Sequence, residues 1–151
     1  MFLLMLCLGL GASVAMASPL YPNERNMVQL TQSNFEEVII KSYQNVWFVL
    51  FYKPDNADCI DLVPKWDRFS ILMEGFMKTA VVNADEEKSL VDKYNIKTFP
   101  SIKIFTNNED KPHDYNGYYS TMSMMKEVEN ESKIVMYKRT PELNMFQHEG
   151  L

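Results

Sequence analysis

Cys7 and Cys59 are the two cysteines of the 151-residue chain, and Cys59 is the first place to look for chemistry. A thiolate is a nucleophile and a metal ligand where a cation, a metal or a helix N-terminus lowers the thiol's pKa. Here Asp55, Asp58 and Asp61 surround Cys59 with like charge instead. That disfavours the thiolate, so an unreactive thiol is expected. Two readings stand: a small core residue in the first turn of a helix, or a single thiol that forms mixed disulfides and needs an outside thiol for release. Asn56, three residues earlier, is of a type that caps helix N-termini. The aspartates lack the ligand spacing and the glycine of a calcium loop. His113 and His148 stand isolated, without a cysteine partner for zinc. No metal and no cofactor is expected.

The elements that must hold these residues follow from periodicity and punctuation. Val28-Gln29-Leu30 reads as a brief strand, and Ser33-Asn34-Phe35-Glu36 as a capping box opening a helix to about Ser42. Val46 to Tyr52 is an almost unbroken apolar and aromatic run, which suits a central strand buried on both faces. A helix should run from near Asn56 to about Phe76, kinked at Pro64 where the ring removes a backbone donor. Ala80-Val81-Val82 is the next buried strand, after which Asp85 caps a helix through Tyr94. Ser101 to Phe105 alternates as a strand, Asn107 to Asp110 makes a turn, and His113 to Tyr115 pairs back as a hairpin. A last helix spans about Thr121 to Tyr137, with Met122, Met125, Val128 and Val135 on or near its apolar side. This alternation implies a largely parallel sheet covered on both faces, with an antiparallel hairpin at its edge.

Composition narrows the class. With 46% hydrophobic and 23% charged residues, the chain has apolar material for one packed core. The net charge of −5 and the lack of a Lys/Arg run argue against nucleic acid. Met1 to Ala17 carries no charged side chain and ends in Ala15-Met16-Ala17, a small-x-small site before Ser18. This reads as a cleavable secretory signal. The other reading, a membrane anchor, has about 15 apolar residues where ~20 are needed, so no span is expected after cleavage. Cleavage would leave Cys59 alone, with no intrachain disulfide. The expected organisation is a signal over 1–17, a flexible leader over 18–26, one domain over 27–138 and a tail over 139–151. His148-Glu149-Gly150-Leu151 differs from a K-D-E-L or H-D-E-L retrieval signal. Residence in the endoplasmic reticulum lumen is expected, and secretion stays open. Asn130-Glu131-Ser132 is a glycosylation sequon within the last helix.

Three stretches resemble the protein disulfide isomerase family. Phe51-Tyr52-Lys53-Pro54-Asp55-Asn56-Ala57-Asp58-Cys59 is similar to F-Y-A-P-W-C-G-H-C, and Leu62-Val63-Pro64-Lys65-Trp66 to L-x-P-x-W. Tyr94-Asn95-Ile96-Lys97-Thr98-Phe99-Pro100-Ser101-Ile102-Lys103 is similar to Y-x-V-x-x-[YF]-P-T-[IL]-K. The resemblance runs from about Val28 to Tyr137 and implies a thioredoxin fold, an α/β architecture whose central mixed sheet has helices on both faces. It also implies that the family's nucleophilic cysteine falls at Asn56 and its resolving cysteine at Cys59. The tryptophan before the nucleophile falls at Asp55, a buried glutamate at Leu50, its lysine partner at Val81 and an arginine at Tyr119. Losing the nucleophile and three charged helpers together implies abandoned dithiol chemistry.

Pro100 falls at the family's cis-proline. That loop presents backbone groups to which an extended client peptide pairs by strand addition, so Phe99 and Pro100 are the expected client-binding residues. The function expected is binding of unfolded or partly folded secretory polypeptides by a redox-degenerate domain. The alternatives are monothiol exchange or isomerase activity through Cys59, and a subunit that docks onto a larger oxidoreductase.

Overall fold

A computed structural model describes residues 20–21, 27–42, 45–106 and 111–139, with 134–139 described by backbone alone. The expected signal, most of the leader, the turn over 107–110 and the tail from 140 onward lie outside these residues, as do Cys7 and His148.

The sheet is built on Trp47–Tyr52 (β2), every residue of which is buried. Because side chains alternate along a strand, Phe48, Leu50 and Tyr52 enter one core and Trp47, Val49 and Phe51 the other. The first core is closed by Ala57–Leu72 (α1) and Thr121–Arg139 (α3), through Cys59, Leu62, Trp66, Phe69, Met124 and Val128. The second is closed by a short π-helical segment, Glu36–Ile40, and by Lys88–Lys93 (α2), through Ile39 and Leu90, with Phe35 and Tyr94 packing alongside. Helices therefore cover both faces of a five-stranded mixed sheet.

With Met27–Gln29 (β1), Lys78–Asn83 (β3), Ser101–Phe105 (β4) and His113–Asp114 (β5), the strand order is β1-β3-β2-β4-β5. β1 and β2 run parallel to β3, whereas β4 is antiparallel to β2 and β5 antiparallel to β4. The antiparallel part is thus larger than an edge hairpin. A parallel return would need a helix running back along the ~20 Å of β3, and six-residue α2 rises only ~9 Å. The chain re-enters the sheet from the end at which it left.

Four local expectations shift. The first turn after β1 starts at Thr31 rather than at Ser33. Asn34 braces it, accepting from the Thr31 N–H at 2.8 Å and donating to the Gln29 carbonyl at 3.0 Å. The segment then widens, with the Lys41 N–H reaching the Glu36 carbonyl. α1 continues through Pro64 but stops at Leu72, because Gly75 adopts a positive φ of 85° that glycine tolerates best. Asp85 does not cap a helix. Asn83 claims its N–H, the Asp85 carboxylate sits 3.8 Å from Lys53, and α2 begins only after Glu87. On α3 the buried stripe is Met124, Val128 and Glu131, while Met122 is 74% exposed. The helical period puts 124, 128 and 131 on one face and 122 on another.

Candidate functional site

Lys53-Pro54-Asp55 carries the chain from the end of β2 into the start of α1. Asn56 has extended backbone geometry, and its Oδ1 accepts the Cys59 N–H at 3.0 Å. At the position of the family's nucleophile, this side chain satisfies one of the helix's unpaired amides. Replacing Asn56 with alanine is expected to cost about 1 kcal/mol of stability, read from urea denaturation. An unchanged midpoint would mean that water or a neighbour replaces the cap.

Cys59 is fully buried in the first core. Tyr21 covers it from outside the sheet, its hydroxyl donating to the Cys59 carbonyl at 3.2 Å. Burial pushes the thiol's pKa up, the Asp58 charge adds to this, and a backbone hydrogen bond at Lys53 opposes it. The like charge expected from three aspartates is therefore the smaller cause: desolvation comes first, and Asp58 is the aspartate that contributes. Leu50 and Val81, which stand where the family resemblance places an acid and its lysine, face each other in register across β2 and β3. Both are buried in the same core as Cys59.

The Phe99–Pro100 peptide bond is cis, and it lies where α2 hands over to β4. Tyr119 donates its hydroxyl to the Pro100 carbonyl at 2.9 Å, tying this loop to the segment before α3. Burial raises the pKa of that phenol, with smaller contributions from Cys59 and Asp114. Lys53 Nζ stands 5.0 Å from the centre of the Phe99 ring. Among the described residues, neither the N–H nor the C=O of Phe99 has a hydrogen-bond partner. Beside it opens a groove of about 390 Å³ lined by Asp58, Asp61, Leu62, Phe99, Pro100 and Tyr119 among others. Asn56 and Cys59 do not line it. Half-buried Phe99 and buried Pro100 thus meet at this groove, while Cys59 is buried in the core and does not reach it.

Sequence reasoning missed two relations. Tyr119 is more than a lost arginine, because its hydroxyl holds the proline loop. His113 is not isolated: its Nε2 lies 2.9 Å from Oε1 of Glu131, with Glu127 close by. The available signal was the i, i+4 spacing of Glu127 and Glu131 on one helix face. Nothing in the sequence placed β5 beside that face. Among the described residues, no helix is long and apolar enough to cross a membrane.

The sequence profile of the Thioredoxin family matches residues 26–130. Protein disulfide-isomerase A6 of Mesocricetus auratus is 39% identical over 101 residues, covering 67% of this chain and 23% of its own length. The chain thus spans about a quarter of that relative. Among solved structures, the J-Trx1 fragment of ERdj5 superposes with a TM-score of 0.61 at 27% identity, over 68% of this chain and 52% of that one. The Trx4 domain of ERdj5 superposes at 0.67 over 74% of this chain and 99% of that one; its 17% identity speaks for the fold alone. The five-stranded mixed sheet, the helices on both faces and the profile match agree: the chain belongs to the thioredoxin family, as a thioredoxin-domain protein of the protein disulfide-isomerase type.

Proposed function

We propose that this domain binds extended segments of unfolded or partly folded polypeptides along the Phe99–Pro100 groove, without thiol–disulfide exchange and within the secretory pathway. The observation that carries the reading is the pair of unbonded backbone groups on Phe99 beside an open groove. An N–H and a C=O presented together accept a peptide strand, and adjoining apolar side chains grip its residues. Half-buried Phe99 supplies that apolar contact, with the buried Leu62 and Pro100 beneath it in the groove lining. Dithiol exchange needs a nucleophile where Asn56 stands, and monothiol exchange needs an exposed, acidified thiol where Cys59 is buried with a raised pKa. A relative named for acting on protein disulfides makes a polypeptide the natural ligand class. The apolar segment over 1–17 supports a secretory route.

The test uses a reduced, carboxymethylated polypeptide, which cannot exchange disulfides, titrated into isotope-labelled protein. Amide shifts are expected at Phe99 and over Asp58 to Leu62. Cys59→Ser should keep the affinity within about twofold, well under 1 kcal/mol. Shifts confined to other surfaces, or binding that requires Cys59, would overturn the reading. A covalent adduct with an unblocked client, seen by mass spectrometry and lost in Cys59→Ser, would establish monothiol exchange instead.

A further inference from the structure

We propose that His113, Glu127 and Glu131 form a binding site for a first-row divalent transition metal, zinc foremost, between β5 and α3. One ligand atom from each of the three residues lies within 4.8 Å of the other two. An ion bonded to nitrogen and oxygen at about 2.0–2.2 Å holds its ligand atoms no more than about 4.4 Å apart. The gap is a fraction of an ångström to about one ångström. Glu127 is only half-buried, so a rotation of its side chain can close it.

The supports of the site are regular elements rather than loops. His113 is held in the β4–β5 ladder opposite Ile104. Glu127 and Glu131 are four residues apart on α3, hence one above the other on a single face. Such placement fixes the backbone positions from which the three side chains reach the ion.

Charge favours a cation here. The Glu131 side chain is only 7% exposed, yet its partner is a histidine that carries charge only when protonated. A buried carboxylate with no lysine or arginine against it lacks a permanent counter-charge, which is costly. Among the described residues Glu127 makes no ion pair and accepts only from Asn130 at 3.5 Å, while Lys103 and Lys133 engage Asp114 and Glu129. A divalent ion would neutralise both carboxylates.

The donor set selects the metal. One imidazole with two carboxylates matches zinc and its first-row neighbours, while calcium and magnesium prefer all-oxygen shells. His113 is half-exposed, which leaves an entry path and room for water at the fourth position. None of the three residues lines the groove at Pro100, so the site is separate from the proposed client surface.

The test is calorimetric titration of the full chain, stripped with a chelator, with Zn²⁺. A single ion per chain with a micromolar Kd is expected. Glu127→Gln and His113→Asn should each weaken it at least about tenfold, since even losing a group that supports a ligand costs about 10–100-fold. Cys59→Ser and His148→Asn should leave it unchanged. Glu131 is buried, so Glu131→Gln could fail to fold; Glu127→Gln, at a half-buried position, gives the decision without it. A His113 ring resonance that moves on zinc addition would place the ion. No saturable binding below about 1 mM, or a Kd indifferent to both Glu127→Gln and His113→Asn, would overturn the proposal.

Discussion

Cys59 in the folded protein is expected to react with iodoacetamide at least about a thousandfold more slowly than in the unfolded chain. The side chain has no accessible surface, and Tyr21 lies over its helical turn, edge-on to Tyr52 with ring centres 4.8 Å apart. Alkylation therefore needs an opening of the first core. An opening free energy of about 4 kcal/mol, modest beside ordinary domain stabilities, already gives that factor. The pH profile should differ as well. Desolvation raises the native thiol above its ordinary value, so native labelling climbs at higher pH than labelling of the unfolded chain. The sign for stability follows from linkage. A thiol whose pKa rises on folding contributes stability below the unfolded value of about 8.5, and this is lost as pH rises through the folded value. Rates measured from pH 6 to 10, native and in urea, check both points. Native labelling at the unfolded rate, with a profile shifted to lower pH, would make Cys59 an accessible nucleophile and sink the non-redox reading.

Replacing Trp66 with alanine is expected to remove about 3–5 kcal/mol of stability. The indole is fully buried, 5.5 Å from the Phe69 ring between centres, in the core that also holds Cys59. Its loss would open a cavity under the middle of α1 and loosen the support of the Pro100 groove through Leu62. Trp66→Phe is expected to behave differently. Among the described residues the indole N–H has no hydrogen-bond partner. Phenylalanine removes that buried donor and keeps most of the ring, so its cost should stay within about 1.5 kcal/mol. Urea denaturation of both variants, followed by circular dichroism, separates the two contributions. Equal losses in the two variants would show that the indole N–H is bonded after all, and that polar rather than volume loss dominates.

What could be read in advance was local. The unbroken run over Val46 to Tyr52 marks a doubly buried strand, because only a central strand can bury consecutive side chains on both faces. The alternation over Ser101 to Phe105 and the stretch from Thr121 give β4 and α3 with almost the expected bounds. Helix starts were less legible. The Ser33 capping box and the Asp85 cap both yielded to neighbouring asparagines, Asn34 and Asn83, which reach the turn amides first. Several polar side chains in a row can each cap a turn, and tertiary packing chooses among them.

By itself, the sequence determined the identities on which function turns: Asn56 where a nucleophile would stand, apolar residues at Leu50 and Val81, and Phe99 before Pro100. It also determined the periodicities of 2.0 and 3.6 residues that lay down strands and helices. Only the tertiary structure decided that β4 runs antiparallel, that Tyr21 covers Cys59 from 38 residues away, and that Tyr119 holds Pro100 from 19 away. It alone brought His113 to Glu131, 18 residues on. Local periodicity reports which face of an element is apolar, but it cannot say which distant face will cover it. Burial, and with it the raised Cys59 thiol and the buried Glu131 carboxylate, comes into being only when those faces meet.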